Sequence, residues 1–135
     1  MRDLARLLTP ARFLKIAGAI LILLGLAGLT GLLGEISPAS FFRPPYWINW
    51  FHFVFGVILL IVAFFGGPRL QGAIALTGAT VGTTIGLLGL LFGAPAARAF
   101  GIPELADPSD HVAHLTVSLV ALWAWTNRTA TSQSR

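Results

Sequence analysis

Long apolar stretches broken by brief polar segments dominate this chain. No charge follows Lys15 until Glu35, none separates Pro44 from Pro68, and none interrupts Leu70 to Ala97. A bilayer core is crossed by roughly 20 apolar helical residues. The pattern predicts spans at about 13–33, 46–65, 70–94 and 108–126, followed by a polar tail at 127–135. The fourth is the shortest, and its start is marked by Asp107 as cap, Pro108 in the first turn and Asp110 just behind. The apolar runs are continuous and do not alternate, which argues for helices over the strands of a membrane barrel. The expected architecture is all-α: an integral membrane four-helix bundle in a single domain covering 1–135. A secretory signal is the competing reading of the first stretch, with Ser37 and Ala39 imitating a cleavage site. That stretch exceeds the roughly 7–15 apolar residues of such signals, so a retained helix is expected.

Composition sharpens this picture. The chain is 56% hydrophobic and 10% charged, whereas soluble domains carry about a quarter charged residues. It contains no cysteine, which excludes disulfides, thiol catalysis and cysteine metal sites. The net charge of +4 does not imply nucleic acid, because the basic residues flank apolar runs and act as topology signals. With both termini cytoplasmic, the inner segments hold Arg2, Arg6, Arg12, Lys15, Arg69, Arg128 and Arg135, and the outer loops hold Arg43 and Arg98. That asymmetry predicts an inner-membrane protein with N-in, C-in topology. Tyr46, Trp47 and Trp50 then form an outer aromatic belt, and Trp123 and Trp125 an inner one.

The polar residues inside the spans fall into a repeat. "GLAGL" at 25–29 returns as "GLLGL" at 86–90, and each is followed by a loop and a span that opens with a histidine, His52 or His114. Two similar helical hairpins are expected, related as a parallel repeat about an axis along the membrane normal. Helical spacing puts Asn49, His52 and Gly56 on one face, and Asp110, His114 and Ser118 on another, with His111 nearby. Polar groups in spans turn inward. One shared cluster of Asn49, His52, Asp110, His111 and His114 near the outer interface follows. A glycine row, Gly78, Gly82, Gly86, Gly89 and Gly93, is expected to pack helices closely. Thr77, Thr80, Thr83 and Thr84 are expected to serve the same packing, with a solute path as the rarer use.

The Asn-x-x-His of Asn49 to His52 and the segment Asp110 to His114 resemble motifs of a bacterial family of four-span membrane proteins, domain-of-unknown-function family 4383. The resemblance covers about Ile16 to Trp125, and His111 stands where the family pattern has asparagine. It implies a multi-pass membrane protein and brings no activity with it.

Three uses of the cluster remain open. In the first, the histidines fasten helix ends through hydrogen bonds, making the chain a non-enzymatic structural or interaction module that needs no cofactor and meets the lipid bilayer, copies of itself or a membrane partner. In the second, His52 and His114 ligate haem or a metal, or Asp110, His111 and His114 together hold a metal ion. The third use is transport or proton sensing. No nucleophile, base and orienting group occur together, so catalysis is not expected. "GGPR" at 66–69 reads as a tight turn, not a phosphate-binding loop.

Overall fold

The computed structural model of the protein describes residues 8–32, 46–100 and 108–128. Glu35, Ser37, Ala39, Arg43, Glu104, Asp107 and the tail beyond Arg128 lie outside the described residues, as do Arg2 and Arg6. Four helices make up the described chain: α1 (Pro10–Leu29), α2 (Tyr46–Phe65), α3 (Pro68–Phe100) and α4 (Pro108–Thr126). Pro10–Leu29, Tyr46–Phe65 and the first part of α3, Pro68–Gly93, are long and apolar enough to cross a membrane. At 1.5 Å per residue, the two 20-residue helices reach about 30 Å. α4 is less apolar, because Ser109, Asp110, His111 and His114 crowd its first two turns.

Local chemistry sets the helix ends. Thr9 caps α1, its hydroxyl accepting from the Arg12 N–H at 3.4 Å, and Pro10 occupies the first turn where no N–H is required. This helix starts earlier and ends earlier than 13–33, with Thr30 as C-cap and Gly31 at φ 80. Between α2 and α3 the chain turns at Gly66 and Gly67. Gln71 closes that turn: its Nε2 donates to Gly66 O at 2.9 Å, Ala63 O at 3.2 Å and Val62 O at 3.4 Å. One side-chain amide thereby serves the carbonyls left over at the end of α2. In α3 the helix breaks at Gly93, where φ is 45 and ψ is −127, and Pro95 follows two residues later. A left-handed φ favours glycine, so Gly93 is a hinge of the backbone and not a member of a packing row.

Two tight antiparallel hairpins, α1–α2 and α3–α4, form the bundle, and they meet chiefly where α1 lies against α3 and α4. Each hairpin is built on a row of inward residues alternating three and four apart, all small on α3 and with glycines among leucines on α1. On α1 the row is Leu14, Gly18, Leu21, Gly25 and Gly28. On α3 it is Gly72, Ala75, Ala79, Gly82, Gly86 and Gly89. An average step of 3.5 stays near one face, drifting only about 20° per seven residues. Steps of four drift about 40° each, and this is why Gly78 leaves the row. It is exposed, with nothing within 4 Å of where a Cβ would stand. The expected ridge is thus corrected: Gly82, Gly86 and Gly89 face α4, while Gly78 and Gly93 do not. Thr77, Thr80, Thr83 and Thr84 are exposed as well. Thr80 and Thr84 donate back to Leu76 O and Thr80 O, at 3.0 and 2.9 Å.

The hydrophobic core lies toward one end. Leu14, 1% exposed, and Phe13 press among Leu59, Ala63, Ala75, Ala79, Ala121 and Ala124. Two large side chains of α1 thus fill the space that alanines on α3 and α4 leave open. At this end Asn127 Nδ2 donates to Leu8 O at 3.0 Å, tying the beginning of α1 to the end of α4. Arg12, Lys15, Arg69 and Arg128 are exposed here. The opposite end carries the polar residues.

Candidate functional site

At the polar end each hairpin seats one buried polar side chain in a glycine notch. Asn49 of α2 is 4% exposed, and its amide occupies the space over Gly28 of α1. One turn along, the backbones approach so closely that a Cβ on Gly25 would lie 2.6 Å from Phe53 N and 2.7 Å from Asn49 O. In the second hairpin, His111 of α4 is 2% exposed and its imidazole fills the space over Gly89 of α3. One turn along, a Cβ on Gly86 would lie 2.6 Å from the Leu115 side chain and 3.1 Å from His111 O. The two constellations correspond: Gly28 and Gly25 hold Asn49 and Phe53 as Gly89 and Gly86 hold His111 and Leu115. A turn further on, Ser118 (3% exposed) presses its hydroxyl against Gly82.

His52 and His114 occupy the next positions on their helices, three residues beyond Asn49 and His111. Both are half-buried. His114 Nδ1 lies 2.9 Å from the main-chain oxygen of Asp110 and 3.4 Å from its Oδ2. The carbonyl requires a donor, so Nδ1 carries the proton, and in the neutral ring Nε2 keeps the lone pair. His52 Nδ1 is enclosed without a hydrogen-bond partner among the described residues, as are His111 Nδ1 and Ser118 Oγ. The His52 ring lies beside Phe51, with centroids 6.3 Å apart.

The structure therefore gathers the predicted residues at one end but divides their work. Asn49 and His111 make the close contacts between helices. His114 bonds within its own helix to Asp110. No hydrogen bond joins His52 to His114 among the described residues, and no Cα of α2 comes within 8 Å of α4. Asp110, His111 and His114 do not converge either, since His111 turns into α3 while His114 turns back to Asp110. Among the described residues no three His, Asp or Glu side chains are grouped to hold one metal ion. Ser118 Oγ faces Gly82 and makes no hydrogen bond to His114, so no hydroxyl is activated there.

The α1 glycine row, the Gln71 brace and the Asn127–Leu8 tie are absent from the pattern of polar motifs. The first could have been found from its alternating three–four spacing, which is legible in Leu14, Gly18, Leu21, Gly25 and Gly28. The other two join a side chain to a main-chain carbonyl and leave no periodic trace. No family model, curated protein or solved structure matches the chain.

Proposed function

We propose that this chain is a multi-pass membrane protein whose four helices all span the bilayer, and that it acts as a structural or interaction module without catalysis. The arrangement of its surface carries this reading. Large apolar side chains point away from the bundle on every helix: Leu23 on α1, Phe65 (86% exposed) on α2, Leu91 (71%) on α3, and Val117 and Leu119 on α4. Apart from Pro10, Phe13, Leu14 and Leu59, the buried positions go instead to glycine, alanine and polar residues. A water-soluble bundle would hide the first group and show the second, whereas lipid rewards this inverse arrangement. α4 follows the same rule despite its polar start, because Asp110, His111 and Ser118 turn inward and Val112, Val117, Leu119 and Leu122 turn outward.

The matched glycine notches of the two hairpins support a parallel repeat, with both polar ends on the outer side. Exposed Arg12, Lys15, Arg69 and Arg128 at the other end support a cytoplasmic location for both termini, in the inner membrane. The exposed apolar surface also accommodates a second copy or a membrane partner.

The absence of native cysteine makes the topology directly testable. In intact spheroplasts, an impermeant maleimide should label Ser37→Cys and Ala106→Cys and spare Ser134→Cys until the membrane is opened. Equal labelling of positions 106 and 134 would remove the fourth span, and release of the chain by alkaline carbonate would remove the membrane reading altogether.

A haem held by His52 and His114 is the second reading. Two observations favour it: the enclosed His52 Nδ1 lacks a hydrogen-bond partner, and α2 and α4 stay apart at this level. An intense absorption band at the blue edge of the visible, lost in His52→Ala, would replace the structural reading. A featureless spectrum of protein from haem-replete cells removes the alternative.

A further inference from the structure

Between described residues, the hydrogen bonds that cross from one hairpin to the other all lie at the basic end. Asn127 Nδ2 of the second hairpin donates to Leu8 O of the first at 3.0 Å, and Gln71 Nε2 donates to Ala63 O and Val62 O at 3.2 and 3.4 Å. Apolar packing has the same bias. Every buried apolar side chain lies in the half of its helix nearer that end, where Phe13 and Leu14 of the first hairpin press among Ala75, Ala79, Ala121 and Ala124 of the second. The polar half is built differently. Its close contacts stay inside one hairpin or the other: Asn49 over Gly28, Phe53 against Gly25, His111 over Gly89 and Leu115 against Gly86. His114 bonds within α4 to Asp110. No Cα of α2 comes within 8 Å of α4.

We infer that the two hairpins rock as rigid bodies about a hinge at the basic end, opening and closing the polar end between them. Helices in lipid are held together by close packing and by hydrogen bonds. Within each hairpin both run the whole length, whereas between the hairpins both are concentrated at one end. Regions with few buried apolar contacts are the ones that open at low cost. The polar end stands roughly 20 Å from the hinge, so a rotation of about 10° moves it by about 3–4 Å. His52 belongs to one moving body and His114 to the other, so their separation changes with the rocking. Such a motion requires only the packing described and no ligand at the polar end.

Nitroxide pairs on the full chain in lipid nanodiscs, read by pulsed electron resonance, measure it, because native cysteine is absent. All the labelled positions are exposed. Trp50→Cys with Val112→Cys spans the hairpins at the polar end, and Ile16→Cys with Trp123→Cys spans them at the basic end. Leu90→Cys with Val112→Cys stays inside the second hairpin. The first pair should give a distance distribution wider than the other two by about 3–4 Å, the displacement of a 10° rotation. Repeating the polar-end measurement with Phe51→Cys in place of Trp50→Cys should give the same excess width, which removes a local effect of one label. A polar-end distribution as narrow as the one inside the hairpin would overturn the inference by showing a rigid bundle. Equal broadening at the basic end would overturn it too, because the hairpins would then part as whole units without a hinge.

Discussion

His111 fills the notch over Gly89, and a methyl group added to that glycine would collide with the imidazole ring. Asn49 stands in the same relation to Gly28. Each pair sets how closely two helices lie and at what register, because a bulky polar side chain fits only opposite a residue with none.

Gly89→Ala and Gly28→Ala should therefore each destabilise the bundle by about 1–3 kcal/mol, the usual cost of overpacking a filled site. Denaturation in mixed detergent micelles measures this. Gly78→Ala, on an open face, should change stability by less than about 0.5 kcal/mol. The informative combination is Gly89→Ala with His111→Ala, where the methyl has room. The double variant should be more stable than the sum of the single costs, and strict additivity would mean that the two residues do not touch.

Contacts at the histidines predict a contrast in coupling. Asp110→Ala removes the carboxylate oxygen 3.4 Å from His114 Nδ1 and leaves the main-chain oxygen at 2.9 Å in place, so its cost and that of His114→Ala should couple by about 0.5 kcal/mol. His52→Ala and His114→Ala remove side chains on helices with no Cα pair within 8 Å. Their costs should add to within about 0.5 kcal/mol. Strong coupling in that second cycle would indicate a ligand or an ordered water between the rings.

Gln71→Leu keeps much of the side-chain volume and removes the donor shared by Val62, Ala63 and Gly66. Leaving those carbonyls to the turn should cost about 1–2 kcal/mol. Amide hydrogen exchange around 66–71 should quicken while exchange near Gly89 stays as it was. Uniform quickening across both hairpins would place the brace in the global stability of the fold.

Gly93→Ala forces a side chain onto φ 45 and ψ −127, a conformation L residues rarely adopt, at a cost of roughly 1–3 kcal/mol. The expected response is a straightened α3 beyond Gly93, read as a changed distance between spin labels at Thr83 and Ala99. An unchanged distance with unchanged stability would show that the break does not depend on glycine.

The periodicity of apolar residues was enough to foresee four helices. Their intervals at 46–65 and 108–126 coincide with α2 and α4, the first a nearly unbroken apolar run and the second opened by Pro108. It also placed Asn49, His52, Asp110, His111 and His114 at one end. The ends of α1 and α3 were less legible, since Thr9, Gly31 and Gly93 act through dihedral angles and single hydrogen bonds that hydropathy does not register.

What the sequence by itself determined is the set of helices and the polar faces of α2 and α4 that turn inward, through the helical spacing of Asn49, Asp110, His111 and Ser118. Tertiary structure alone decided which inward residues meet. His52 and His114 looked like the natural pair because they share a type and a position in the repeat, yet the close contacts belong to Asn49 on Gly28 and His111 on Gly89. The reason is steric: partners across a helix pair are fixed by where a missing side chain leaves room, and that depends on the rotation and register of both helices at once.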